Sequence, residues 1–137
     1  MTAILDTSFL LAMTNNKDRN HSRVLNVART INTPLILPIP VLPEVCYLIA
    51  SRLGHGAMRL FLKKLVANDA ILESITLNDL QRVTEILDKY ADSQLDFVDA
   101  TIIAIAERRN ITRVLTLDRR DFTIIRPKHC SCFEILP

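Results

Sequence analysis

Two apolar runs of this chain, TAILD (residues 2–6) and RVLTLD (113–118), end in an aspartate and are too short for helices of their own. Runs of this kind read as buried parallel strands. Between them apolar residues recur at helical spacing: Val24, Leu25, Ala28 and Ile31, then Val45, Leu48, Ile49 and Leu53, then Phe61, Leu62, Leu65 and Val66, then Leu80, Val83, Leu87 and Tyr90. TPLILPIPVL (33–42) supplies a second strand, which Pro38 and Pro40 confine to edge or irregular pairing. AILESIT (70–76) supplies a third, and the tail FTIIRPKHCSCFEILP adds a last short one. Strands alternating with helices predict an α/β domain around a mostly parallel sheet. Thr7 and Ser8 are expected to cap the first helix, Pro43 to open a later one, and Thr76 or Asn78 to cap the helix that follows the third strand.

A length of 137 residues with 49% apolar content suits a single domain, 1–137, around one core. Both glycines fall in GHG (54–56), a turn between helices. Apolar runs stop short of the ~18 residues a membrane span needs. The opening MTAILD lacks a basic leader and meets Asp6 early, so no signal peptide is expected. Three cysteines, an odd number, fit a reducing cytoplasm. HCSC (129–132) crowds three zinc-type donors, His129, Cys130 and Cys132, with no second cluster to complete a structural site, and no zinc is expected.

Residues 95–109, LDFVDATIIAIAERR, raise a sharper question. Asp96 and Asp99 head a helix whose next turns are Ala and Ile, and the stretch has no Lys or Arg before Arg108. An ionised carboxylate among apolar side chains is costly unless a cation meets it. Sites in open α/β sheets form outside the carboxyl ends of the strands. Asp6 and Asp118 end two strands, and Glu44 lies in the first turn after another, so all three project from one rim. Asp99 reaches the same rim if the loop before its helix crosses over. Taken singly, Asp6 and Asp118 are explained as caps or turn residues, and Glu44 as an acid favoured by the helix dipole. Gathered on one rim they repel one another, and bound cations make the arrangement sensible. Oxygen donors without His or Cys select Mg²⁺ or Mn²⁺ over Zn²⁺. Such ions activate water for in-line attack at phosphorus, so phosphodiester hydrolysis leaving a 3′-hydroxyl and a 5′-phosphate is expected.

With these residues in view, the chain resembles the PIN-domain family, and within it the VapC-type ribonuclease toxins of toxin–antitoxin pairs. ILDTSFLLA is similar to the family's opening strand with its first Asp, LPEVCYLI to its Glu-bearing helix, and DFVDATIIAIAERRNITRVLTLDRRDF to its C-terminal block. The resemblance implies a three-layer α/β/α sandwich and an acidic quartet of Asp6, Glu44, Asp99 and Asp118, with Asp99 chosen because it directly precedes Ala100. It implies that Ser8 and Thr116 orient the first and last acids and that Asp96 is accessory. Asp121 either helps through water or caps the turn before Phe122. It further implies a structured RNA substrate (tRNA or ribosomal RNA), homodimerisation, and a small cognate antitoxin. The helices around Leu48 and Phe61 are candidate surfaces for these partners, or core.

Arg119 and Arg120, flanking Asp118, are expected to contact RNA phosphate. Arg19, Arg23 and Arg29, and Arg59, Lys63 and Lys64, read equally well as solvated faces. Aromatics are 5% and Trp is absent, so RNA choice is expected to rest on shape and a few polar contacts rather than extensive stacking. Two rival readings remain. A non-catalytic PIN-like module would lack one of the acids, and a PIN nuclease outside a toxin–antitoxin pair would keep them all. A phospho-accepting receiver domain needs an acidic pair after the first strand and a Lys after a late one, where this chain has a single Asp6 and Asp118.

Overall fold

The structure, a computed structural model, describes residues 2–137. Five short strands form one sheet: β1 (Ile4–Leu5), β2 (Ile36–Pro38), β3 (Ile71–Glu73), β4 (Arg113–Leu115) and β5 (Glu134–Leu136). Their spatial order is β3-β2-β1-β4-β5 and every pairing is parallel. Seven α-helices flank it: α1 (Thr7–Thr14), α2 (His21–Thr30), α3 (Val41–Leu53), α4 (His55–Ala67), α5 (Leu77–Lys89), α6 (Phe97–Arg109) and α7 (Arg119–Ile124). The helices α1 to α4 pack on one another, and α5 packs on α6. The chain reverses direction across the sheet between these two groups, and under the right-handed crossover rule that sets them on opposite faces. No helix among the described residues is long and apolar enough to cross a membrane.

From β1 the chain moves outward to β2 and β3, then returns across the sheet to β4 and β5. The reversal puts a topological switch point between β1 and β4, and sheets of this kind place their sites beyond the carboxyl ends of the strands at such a point. Asp6 directly follows β1 and Thr116 directly follows β4. The return also answers how Asp99 can reach that rim, since α6 is the helix that leads into β4.

α6 is the most enclosed helix. Seven consecutive residues, Ala100 to Ala106, are buried, which explains why its Ile and Ala positions show no polar stripe. Each buried Ile contributes roughly 1.5–3 kcal/mol. Its partner α5 begins in a reciprocal capping box: Asp79 N–H donates to Thr76 Oγ1 (3.0 Å), and Thr76 N–H donates to Asp79 Oδ2 (3.0 Å). Asp79 is itself buried and receives Arg108 Nε–H at 2.9 Å. Burial pushes its carboxyl up, but Arg108 and the Thr76 bonds outweigh that and hold it below the usual range.

Two expectations are corrected. β2 is an interior strand, bonded to β1 and β3, because Pro38 occupies only its last position while Ile36 carries the pairing to both neighbours. The first helix is capped by Asp6, with Thr7 and Ser8 already inside its first turn. Pro43 sits within the first turn of α3, where no N–H is needed.

Candidate active site

Asp6 is buried beyond β1. Its Oδ1 accepts Thr7 N–H at 2.7 Å, which caps α1, and its Oδ2 accepts the Thr116 hydroxyl at 2.7 Å. With its one proton given to Asp6, Thr116 Oγ1 can only accept its other bonds. It accepts Asp118 N–H at 2.9 Å and faces Ser8 Oγ at 3.1 Å, so the proton of that contact is the serine's. Ser8 Oγ in turn accepts Leu117 N–H at 2.9 Å and lies 3.4 Å from Asp6 Oδ2. Ser8 and Thr116 thus bolt the end of β1 to the loop after β4. Thr116→Val removes a donor and an acceptor at once. We expect it to lower metal affinity and activity by roughly 10–100-fold. The check is a metal titration of the variant beside an unchanged circular-dichroism spectrum.

The other acids sit at helix starts. Asp96 caps α6 by accepting Asp99 N–H at 2.8 Å, which gives its carboxylate a structural task. Asp118 caps α7 by accepting Asp121 N–H at 3.2 Å. Glu44 occupies the first turn of α3. Carboxylate oxygens of Asp99, Asp118 and Asp121 lie within 4.8 Å of one another. Asp121 is therefore drawn into the cluster more closely than its sequence position suggested; its i+3 spacing from Asp118 was the available signal.

Burial raises the Asp6 carboxyl to about 6, against the Thr116 and Thr7 hydrogen bonds that lower it, and the charges of Glu44 and Asp118 add to the rise. Asp99 is pushed to about 9, first by burial and then by the charges of Asp6, Asp96, Asp118 and Asp121. Asp121 is raised by burial, by its hydrogen bond to Asp118 and by that group's charge, with Arg120 opposing. Among the described residues no ion pair involves any of these acids. The contrast with Asp79 is direct: two aspartates are buried on adjacent helices, and only one of them has an arginine. A divalent cation fits the converging donors, which are all oxygens.

Of the residues expected at RNA, Arg120 is exposed beside Asp121. Arg119 is exposed too, but its guanidinium donates to the Pro137 carbonyl. His129 is held by the Ile111 carbonyl at 2.6 Å. Sequence reasoning passed over two exposed aromatics beside the acids, Tyr47 and Phe97.

The sheet is parallel, with acids gathered at its switch point, and the chain belongs to the PIN domain family, which matches residues 3–126. It is 30% identical to Ribonuclease VapC26 of Mycobacterium tuberculosis over 134 residues, 98% of this chain and 99% of that one. Among solved structures it resembles VapC20 of Mycobacterium tuberculosis, a sarcin–ricin loop cleaving toxin, with a TM-score of 0.80 at 23% identity, covering 86% of this chain and 91% of that one. It also resembles VapBC2 from Rickettsia felis, bound to a DNA fragment from its promoter, with a TM-score of 0.73 at 14% identity over 100% of both chains.

Proposed function

We propose that this protein is a metal-dependent endoribonuclease of the VapC type, acting in the cytoplasm as the toxin of a toxin–antitoxin pair. This reading is carried by Asp6 and Asp99, two aspartates from remote segments that are both buried among other carboxylates, with no ion pair to either among the described residues. Whole-length identity to a named ribonuclease supports the same reading.

Asp6, Glu44, Asp99 and Asp118 would hold Mg²⁺ or Mn²⁺, and Asp121 would be a further ligand or orient a water. The chemistry such an ion would supply there is activation of a water and stabilisation of the oxygen that leaves phosphorus. Thr116 and Ser8 fix the Asp6 carboxylate and the Asp118 backbone, so little reorganisation accompanies reaction. Arg120 contacts a neighbouring phosphate, and the products carry a 3′-hydroxyl and a 5′-phosphate. The substrate is a structured RNA, tRNA or ribosomal RNA.

A cleft of about 630 Å³ between α1, α2 and α4, lined by Leu10, Met13, Leu25, Leu60, Phe61 and Leu65 among others, suits the apolar face of an antitoxin segment. The edge strand β3 and the start of α5 leave Ile71, Leu72, Leu77 and Leu80 exposed, which suits a second copy of the chain in a homodimer.

The test incubates purified protein with total RNA and Mn²⁺, with and without EDTA, beside Asp6→Asn. Discrete cleavage that needs both the ion and Asp6 is expected. Cleavage that survives EDTA and the substitution overturns the metal mechanism. Copurification with the product of a neighbouring small reading frame separates a toxin from a solitary nuclease.

A further inference from the structure

The chain has few aromatic rings, and the fold hides most of them. Phe9, Phe61, Phe122 and Phe133 are buried, and Tyr90 is half-buried, its hydroxyl accepting Arg126 N–H at 2.9 Å. The remaining two stand out in solvent, Tyr47 at 71% and Phe97 at 44% exposure. Burying an aromatic side chain is among the larger gains available to a core, so a ring left outside invites a functional account. Both stand next to the acids. Phe97 is the first residue of α6, between the cap Asp96 and the buried Asp99. Tyr47 lies one turn after Glu44 on α3, at the i+3 position that shares its face. Asp99 meets Asp118 in the acid cluster, and Thr116 ties Asp118 to Asp6, while α3 starts just after β2, the neighbour of β1. The charge of Glu44 acts on Asp6 and that of Asp6 on Asp99, in keeping with first turns that converge on one centre.

We infer that Phe97 and Tyr47 are stacking residues, receiving unpaired bases on either side of the phosphodiester held at the acids, an assignment that rests on the ribonuclease reading. Single-stranded RNA alternates an anionic phosphate with a flat base. The rim offers the matching alternation, with carboxylates for cations and phosphate in the middle, Arg120 beside them, and one ring on each flank. Stacking tolerates any base, since every base has a π face. Two rings do not make an extended stacking surface, in keeping with the low aromatic content. They do require the strand to be unpaired where it is cut, so the site accepts loops within structured RNA and rejects continuous duplex.

The test compares wild type with Phe97→Ala, Phe97→Leu, Phe97→Trp and Tyr47→Ala. Steady-state cleavage of total RNA with Mn²⁺ is measured, together with the anisotropy of a fluorescein-labelled single-stranded RNA twelve-mer in Ca²⁺. Loss of one stacked base corresponds to a weakening of roughly 10-fold for either Ala variant. It is expected in KM and in twelve-mer binding with kcat nearly unchanged, restored by Trp and not by Leu. Restoration by Leu shows that only apolar bulk matters and overturns the inference, as does a loss in kcat accompanied by a weaker Mn²⁺-induced thermal shift. A change in the elution volume of Tyr47→Ala on size exclusion reassigns that ring to a contact between copies and overturns its half of the proposal. Should wild type cut no RNA, the ribonuclease reading falls, and the twelve-mer anisotropy decides the stacking separately.

Discussion

Asp99→Asn is expected to lower RNA cleavage by at least ~100-fold while raising the melting temperature of the metal-free protein by roughly 3–8 °C near pH 8. The two effects have one cause. Asp99 is buried among carboxylates, and its proton affinity is raised to about 9 from an unfolded value of 3.8. A folded state that binds the proton more tightly than the unfolded one loses stability as pH rises through the interval between those values. At pH 8 the folded chain therefore bears a cost that the neutral amide does not. Below about pH 4 both states are protonated, and the gain over wild type disappears. Asp79→Asn is the control with the opposite sign. That carboxyl is held low by Arg108, so its stabilisation is present above the ordinary carboxylate range and fades as pH falls through its depressed value. Substituting it should cost about 2 kcal/mol or more at pH 8 with the metal site untouched. Melting curves of both variants against pH decide the matter. An Asp99→Asn protein that melts lower than wild type at pH 8 means that Asp99 is compensated by some other group.

Adding Mn²⁺ to the metal-free protein is the second large effect. At a free concentration of about 100 Kd a single site contributes ~2.7 kcal/mol, which for a chain of this length is roughly 8–10 °C in Tm. The pH sign follows from the raised acids. Without metal, stability should decline from about pH 4 upward, because the unfolded chain ionises both carboxyls while the fold keeps Asp6 protonated to about 6 and Asp99 to about 9. Saturating metal should flatten that decline, because it needs the ionised forms. Scanning calorimetry at pH 5, 7 and 9, with EDTA or Mn²⁺, measures both. A metal-free Tm that is level or rising across this range, with no response to Mn²⁺, removes the cation-binding reading of the acids.

Much of this arrangement was legible in the chain. Short apolar runs ending in Asp gave the parallel strands, and the switch point then explains how the aspartates at 6 and 118 share a rim. Asp99 was legible as an anomaly, a carboxylate set against Ala and Ile with no basic neighbour, though its route to the rim needed the fold. Pro38 misled, because a proline forbids only its own N–H; at the last position of β2 it costs the ladder little and leaves the strand interior. Caps were ambiguous for a related reason. Asp, Thr and Ser stand in a row at 6–8, and spacing alone does not say which of them falls outside the helix. The Ser8–Thr116 bridge spans two remote segments and leaves no periodic trace. Exposure of Tyr47 and Phe97 was equally hidden, since an aromatic within an apolar stretch looks like core until the packing is known.

α1 has two duties that are easily seen apart and consequential together. At its start Asp6 is fastened by Thr7 N–H, and farther along Leu10, Met13 and Thr14 form a wall of the apolar cleft. Eight residues make a rod about 12 Å long, too short to bend appreciably. Anything that displaces that wall is therefore expected to move the carboxylate at the other end, without touching the acids themselves.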